Sequence, residues 1–303
     1  MRPFSWPEGD RRSPEVGVSL TVVVAVVEEP AALAEALESL DYLGEQARGE
    51  IQVLVVSDFP RPASLRFGAK AAWLELPEGS LVPHAWARGI EEAEGDWVLL
   101  TTAHFVLDGG WWSHWKGSRI DSDVSGVGGA IGPPRGLGVA AWATYFLRYS
   151  AYSSLGPGTV QDVAGDHAVY RRSDLEAFES SMVGGFWEPD FHRWVHRRGR
   201  RLVYDPSLRT RQRASFGWLR FCRQRRQHGR QFGQARLEGK GLLSRILGVL
   251  AFPLIPPILL VKVVRRVVRS GQNIGAFVFS LPALALFVLA WALGEVEGYW
   301  SAR

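Results

Sequence analysis

Residues 82–110 read "VPHAWARGIEEAEGDWVLLTTAHFVLDGG", and their order decides the fold. The first half, up to Gly95, reads as a helix. It feeds "DWVLLTT", an acidic opening into a short apolar run, which reads as a strand. After the strand come Thr102, a lone His104 and a turn rich in Gly and Trp. A strand that ends this way delivers side chains to the mouth of a site.

Upstream the same alternation repeats. "VSLTVVVAVV", residues 18–27, is an apolar β-branched run suited to a strand covered on both faces. Glu28, Glu29 and Pro30 then open "AALAEALESLDYL", whose Leu33, Leu37 and Leu40 mark one helix stripe. "IQVLVVSD", residues 51–58, is the second strand, and "AAWLELP" a short third. Strand, helix, strand, helix, strand predicts a parallel α/β sheet. Ligands in such sheets bind beyond the carboxyl ends of the strands. The positions to watch are therefore Val27 to Glu29, Ser57, Asp58 and Thr102 to His104. Neither a dinucleotide fingerprint nor a P-loop is present, and no GxSxG suggests a serine hydrolase.

Beyond residue 110 the pattern reads as irregular. "SGVGGAIGPPRG" is a strand and turn, and "VAAWATYFLRYSAYSSL" an aromatic amphipathic helix expected near a membrane. "DVAGDHAVYRRSDLEAF" reads as a turn and short strand entering a helix. In "GGFWEPDFHRWVHRRGRRLVYDP", residues 184–206, Glu188 and Asp190 stand at a helix start, where carboxylates suit the dipole. His192 and His196 share a face, but "RWV" between them lacks the glutamate of a zinc HExxH helix.

The chain of 303 residues has room for one or two domains. Its net charge of +4 is unevenly spread: Arg209 to Arg230 holds eight arginines and no acid. A nucleic-acid patch, a membrane-facing patch and a phosphate site all fit such a run. Cys222 is alone, which excludes an internal disulfide and a cysteine-rich zinc site. The polar, proline-rich start reads as a flexible segment, 1–16, with no signal peptide, so the domain after it is expected in the cytoplasm.

Residues 274–294, "IGAFVFSLPALALFVLAWALG", are uncharged and about 31 Å long as a helix, the length of a membrane span. Residues 246–261 hold Pro253, Pro256 and Pro257, which predicts a kinked or re-entrant element. Lys262, Arg265, Arg266 and Arg269 between the two favour one span that keeps this loop cytoplasmic, and a two-span hairpin is the alternative. The expected organisation is a catalytic domain over 17–240 and a membrane-associated region over 241–303, at the cell (inner) membrane.

In this order the residues resemble a membrane-associated, bacterial family 2 glycosyltransferase of the GT-A fold, a Rossmann-like α/β fold for nucleotide-diphospho-sugar transfer. "TVVVAVVEEP" is similar to that family's opening strand and exit, which implies a donor-binding role for Glu29. "VLVVSD" is similar to its second strand, where Asp58 keeps the second of two nucleoside-contacting aspartates and Ser57 replaces the first. The metal-binding Asp-x-Asp motif falls on Thr102, Ala103 and His104. "FWEPDFHRWVHRRGRRLVYDP" resembles the segment carrying the catalytic base, and Glu188 falls at that place.

The resemblance implies inverting transfer from a nucleotide-diphospho-sugar donor to a lipid-linked or envelope glycan acceptor. Such transfer needs a carboxylate to deprotonate the acceptor hydroxyl and positive charge for the departing diphosphate. Glu188 is the first candidate base and Asp190 the second; the plain alternative for Glu188 is a helix cap. His104, with Asp108 drawn in, is the candidate ligand for Mg2+ or Mn2+, or a direct phosphate contact, against a plain strand-end histidine. Arg223, Arg226 and Arg230 lie at helical spacing on one face that suits a diphosphate. Arg225 points elsewhere. Anionic membrane lipid is the alternative partner of that face, and nucleic acid is not expected. The altered strand end leaves a second reading, an inactive relative that binds nucleotide or scaffolds an envelope-biosynthesis complex.

Overall fold

The computed structural model describes residues 19–27, 30–62, 71–152, 155–182, 184–213, 217–237 and 239–301. The expected flexible segment 1–16 and the strand exit at Glu28 and Glu29 lie outside them. By spatial proximity the chain divides into two compact units. The first takes residues up to 132 and 155–213, and the second 133–154 and 214–303. The division thus falls after Arg213 rather than at 240, and it sends one internal segment to the second unit.

The first unit alternates β1 (Leu20–Val26), α1 (Pro30–Gln46), β2 (Ile51–Ser57), β3 (Ala71–Glu75), α2 (Val82–Glu91) and β4 (Trp97–Thr102). Then follow β5 (Phe105–Leu107), α3 (Trp111–Gly117) and β6 (Val124–Gly132), after which the chain leaves for α4 (Gly138–Tyr149) of the second unit. It returns as β7 (Gly158–Val160), β8 (His167–Arg171), α5 (Arg172–Phe178), α6 (Glu188–Arg197) and β9 (Arg201–Gln212). The strands run in the order β3-β2-β1-β4-β8-β6-β9-β5, with β7 also on β9. β1 pairs in parallel with β2 and β4, and β2 with β3. β8 is antiparallel to both β4 and β6.

Every residue of β1 is buried, which is what its unbroken β-branched run requires of a central strand. One face of the sheet packs Leu33, Leu37 and Leu40 of α1 with Trp111, Trp112 and Trp115 of α3. Trp115 meets Trp97 edge-on at 5.5 Å and stacks on Trp111 at 5.9 Å, so part of the high tryptophan content is core. The other face packs Trp86 and Ile90 of α2 with Leu175 and Phe178 of α5 and Phe191 and Val195 of α6. The region after residue 110 is regular, in contrast to the expectation. Its glycine- and arginine-rich strands β6 and β9 pair with each other through two register shifts, and such bulged strands lack clean hydrophobic alternation.

The second unit holds α4, α7 (Trp218–Leu237), α8 (Leu242–Leu250), α9 (Ile255–Ser270) and α10 (Ile274–Ser301). The proline-bearing segment breaks between α8 and α9 and bends by 43°. α10 is long and apolar enough to cross a membrane and runs past the expected end at 294.

Candidate active site

The parallel strands set the site's floor. Ala25 lies level with Thr102 and Val26 with Ser57, so β1, β2 and β4 end at one rim. At the end of β2, Ser57 is buried and its hydroxyl bonds the backbone of Phe59, accepting from the N–H at 3.2 Å and donating to the carbonyl. Asp58 accepts the Gly79 N–H at 3.1 Å through Oδ2, which fixes the loop after β3. The expected nucleoside-contacting residue therefore also has a structural bond.

At the end of β4, Ala103 N–H bonds the Ala25 carbonyl at 3.2 Å, and the His104 carbonyl accepts Arg213 N–H at 2.8 Å. His104 is 8% exposed, with Nδ1 3.3 Å from the Thr102 hydroxyl. Asp108 pairs with Arg211 at 2.8 Å. Among the described residues no three His, Cys, Asp or Glu side chains gather as a metal site. One imidazole, one hydroxyl and an arginine-paired carboxylate do not fit a hard divalent cation, which takes several oxygen ligands.

β8 carries the opposite wall. Its His167 lies against Thr101 of β4 and is 1% exposed. The His167 Nε2 stands 3.3 Å from both Trp111 Nε1 and the Leu208 carbonyl, so one tautomer serves only one of them. Burial pushes this imidazole down to about 4. A Cβ on neighbouring Gly129 would overlap the ring, so glycine there makes room for it.

The turn just before β8 receives the first residue of α6. A Cβ on Gly165 would lie 2.7 Å from Glu188 Oε1, so the carboxylate rests directly against that turn. α6 reaches this place through Gly185, which takes φ 110° and passes close to Pro83, and through Phe186, whose N–H bonds the Pro83 carbonyl at 2.8 Å. Asp190, two residues further, is exposed and ion-paired with Arg193. The structure thus separates the two candidate bases.

Sequence reasoning passed over the group that anchors α6. His192 is buried, with Nδ1 3.1 Å from Asp162 Oδ1 and Nε2 2.9 Å from the Tyr170 hydroxyl. Burial holds the imidazole below its ordinary range, and its hydrogen bond holds the Asp162 carboxyl below the ordinary carboxylate range. The two directions agree on a neutral ring that donates Nδ1–H to Asp162 and accepts from Tyr170. His196 meets the Gln161 carbonyl at 2.7 Å instead of sharing a ligand with His192. The spacing of four from Glu188 to His192 was the available signal, since it puts both on one face of the helix.

Arg223, Arg226 and Arg230 are exposed on α7 of the second unit, and Arg226 is ion-paired with Glu297. Arg225 points away from them and stacks on the Trp291 ring at 4.2 Å.

Comparison with known proteins gives this geometry a relationship. The family model described as Glycosyl transferase family 2 matches residues 21–178. No curated protein sequence matches the chain. Mannosyltransferase PcManGT from Pyrobaculum calidifontis, solved in complex with GDP-Man and Mn2+, is 16% identical with a TM-score of 0.55, over 94% of this chain and 88% of its own. TarS 1-349 of S. aureus, in complex with UDP, is 13% identical with a TM-score of 0.45, over 69% of this chain and 63% of its own. At 16% identity the likeness to PcManGT is one of fold, and that fold is GT-A.

Proposed function

The chain belongs to glycosyl transferase family 2, and on that premise we propose that this glycosyltransferase inverts the anomeric carbon of a nucleotide-diphospho-sugar, with Glu188 as base. The observation that carries the reading is the seat of Glu188 against Gly165, at the turn that enters β8 beside the rim of β4. A carboxylate held there, beside the strand rim, is proposed to meet the acceptor hydroxyl. Glu188 takes the hydroxyl proton as that oxygen bonds the anomeric carbon, and the bond from that carbon to the diphosphate breaks. The nucleoside diphosphate leaves with the bonding pair.

Asp58 and His104 are proposed to hold the donor from the strand rim, and Glu29 is proposed as a further donor contact. The donor bound in PcManGT and the UDP bound in TarS support a donor of this class. PcManGT carries Mn2+; the donor set described for this chain supports only a small dependence on Mg2+ or Mn2+. For Arg223 and Arg230 the proposal is narrower: attraction of a phosphate-bearing ligand or anionic lipid to the second unit, with Arg226 engaged by Glu297. The acceptor is proposed to be lipid-linked or part of the cell envelope, and the place of action the cytoplasmic face of the inner membrane. A chain with so much apolar surface in its second unit supports that setting.

The test is a donor panel. Purified protein in lipid is given GDP- and UDP-sugars with a membrane lipid extract as acceptor source, and both nucleoside diphosphate release and label transfer are read. Transfer that survives chelation with less than roughly tenfold loss is the expected result, given the weak ligand set. Donor binding without release or transfer across the panel would favour the non-catalytic alternative suggested by Ser57, Thr102 and His104.

A further inference from the structure

α10 has the length and composition of a membrane span, yet both of its ends are tied to helices of its own unit. Near its start, Phe277 meets Phe146 of α4 edge-on at 5.1 Å. Along its second half it lies parallel to α7 with backbones in contact. A Cβ on Gly294 would overlap the Arg226 carbonyl, one on Gly298 that of Arg230, and ones on Gly229 and Gly233 those of Trp291 and Glu295. Polar links reinforce the crossing: Arg236 bonds Glu295 at 2.9 Å, Arg226 pairs with Glu297, and Gln234 bonds Ser301 at 2.9 Å.

α7 is the arginine-rich helix, with Arg220, Arg223, Arg225, Arg226, Arg230 and Arg236 along its length. Phe287 of α10 meets both Trp218 and Phe221 of this helix, at 6.0 and 4.6 Å. If α10 crossed a bilayer over its apolar length, α7 would be drawn into the hydrocarbon with it, where charged side chains are costly to hold.

The surface of the unit shows where lipid belongs. Among the described residues, every large exposed apolar side chain except Tyr42 lies in the second unit. Leu243, Leu247 and Leu250 of α8, Ile258, Val261, Val264 and Val268 of α9, and Val278, Leu286, Leu289 and Leu293 of α10 are all exposed. From residue 239 to 294 the chain has six cations and no acid. On α9 the exposed cations Lys262, Arg265, Arg266 and Arg269 interleave with the exposed valines. Such a face suits an anionic headgroup layer over acyl chains, with the long basic side chains reaching outward. It is poorly suited to a second copy of itself, because an acid-free basic surface would meet its like.

We propose that the second unit is monotopic: α8, α9 and the exposed stripe of α10 are sunk into one leaflet of an anionic bilayer, and α10 does not cross it. The proposal deepens the membrane setting of the proposed function and is independent of sugar transfer.

The test reads topology without activity. Single cysteines E45C, R266C and S301C are placed in full-length C222S protein, with E45C reporting the side of the α/β unit. Sealed inverted membrane vesicles are treated with a membrane-impermeant maleimide before and after permeabilisation. Labelling of all three to the same extent before permeabilisation is expected. Protection of S301C alone would show a single span, and protection of R266C alone a two-span hairpin; either overturns the proposal. In a second arm, purified protein is sedimented with phosphatidylcholine vesicles with or without phosphatidylglycerol. Phosphatidylglycerol should tighten binding at least roughly tenfold, and K262Q/R265Q/R266Q/R269Q should abolish that difference, because the cations attract the anionic surface. Failure to bind either vesicle, with the chain dimeric in solution, would give the apolar face to a second copy and overturn the proposal as well.

Discussion

Gly165 and Glu188 form the closest structural argument for catalysis, because the glycine leaves the space that the carboxylate fills. Gly165→Ala would put a methyl carbon 2.7 Å from Oε1, and the flexible side chain would swing away. Folding should be little affected. Turnover should fall roughly 10–100-fold, since displacing a reacting group by about 1 Å costs on that order. Donor affinity, measured by calorimetry, should stay unchanged. His167 supports a second prediction, about pH. Its native value is about 4, below the ordinary 6.5. As pH falls through 6.5 the unfolded chain takes up the proton first, so stability is complete above 6.5 and declines between 6.5 and 4. The decline is worth about 3 kcal/mol at most. Gln cannot titrate, so the gap in melting temperature between wild type and His167→Gln should narrow as pH drops from 7 to 4. A constant gap would mean that His167 is not held neutral by burial.

At the scale of elements, the crossing of α7 and α10 is the contact most sensitive to one methyl group. Gly294→Ala would drive a Cβ into the Arg226 carbonyl, and backbone cannot rotate out of the way. It should destabilise the helical unit by roughly 1–3 kcal/mol, the usual cost of overpacking. Gly275→Ala, in the same helix with nothing within 4 Å, should be neutral or slightly stabilising. Thermal melts of both variants in detergent check the contrast. β1, β2, β4 and α1 were legible in the sequence because each is a continuous apolar run or a clean stripe. β9 was not, since Asp205–Ser207 interrupt its 12 residues at a register shift and only Leu208–Gln212 alternates buried positions with arginines. The helix crossing was written in glycines four apart in each partner, Gly229 with Gly233 and Gly294 with Gly298.

For the molecule as a whole, the order of motifs carried the family, while single positions did not carry the site. Thr102 and His104 stand where carboxylates were expected, and only the structure shows Asp108 engaged with Arg211. Glu188 ranks above Asp190 by the segment it resembles, but its seat in the fold was not legible. That depends on a turn 23 residues away in sequence and on the Asp162–His192–Tyr170 anchor, which link segments that no local pattern joins. The central claim is that Glu188 removes the acceptor proton. Glu188→Gln keeps the shape and hydrogen bonding of the side chain but cannot accept that proton. The most direct measurement is a single-turnover rate for wild type, Glu188→Gln and Asp190→Asn, with donor affinity measured alongside. The account predicts a loss of roughly 10²–10⁴-fold for Glu188→Gln with donor affinity intact, and little change for Asp190→Asn. Near wild-type turnover in Glu188→Gln, whatever Asp190→Asn does, would contradict it.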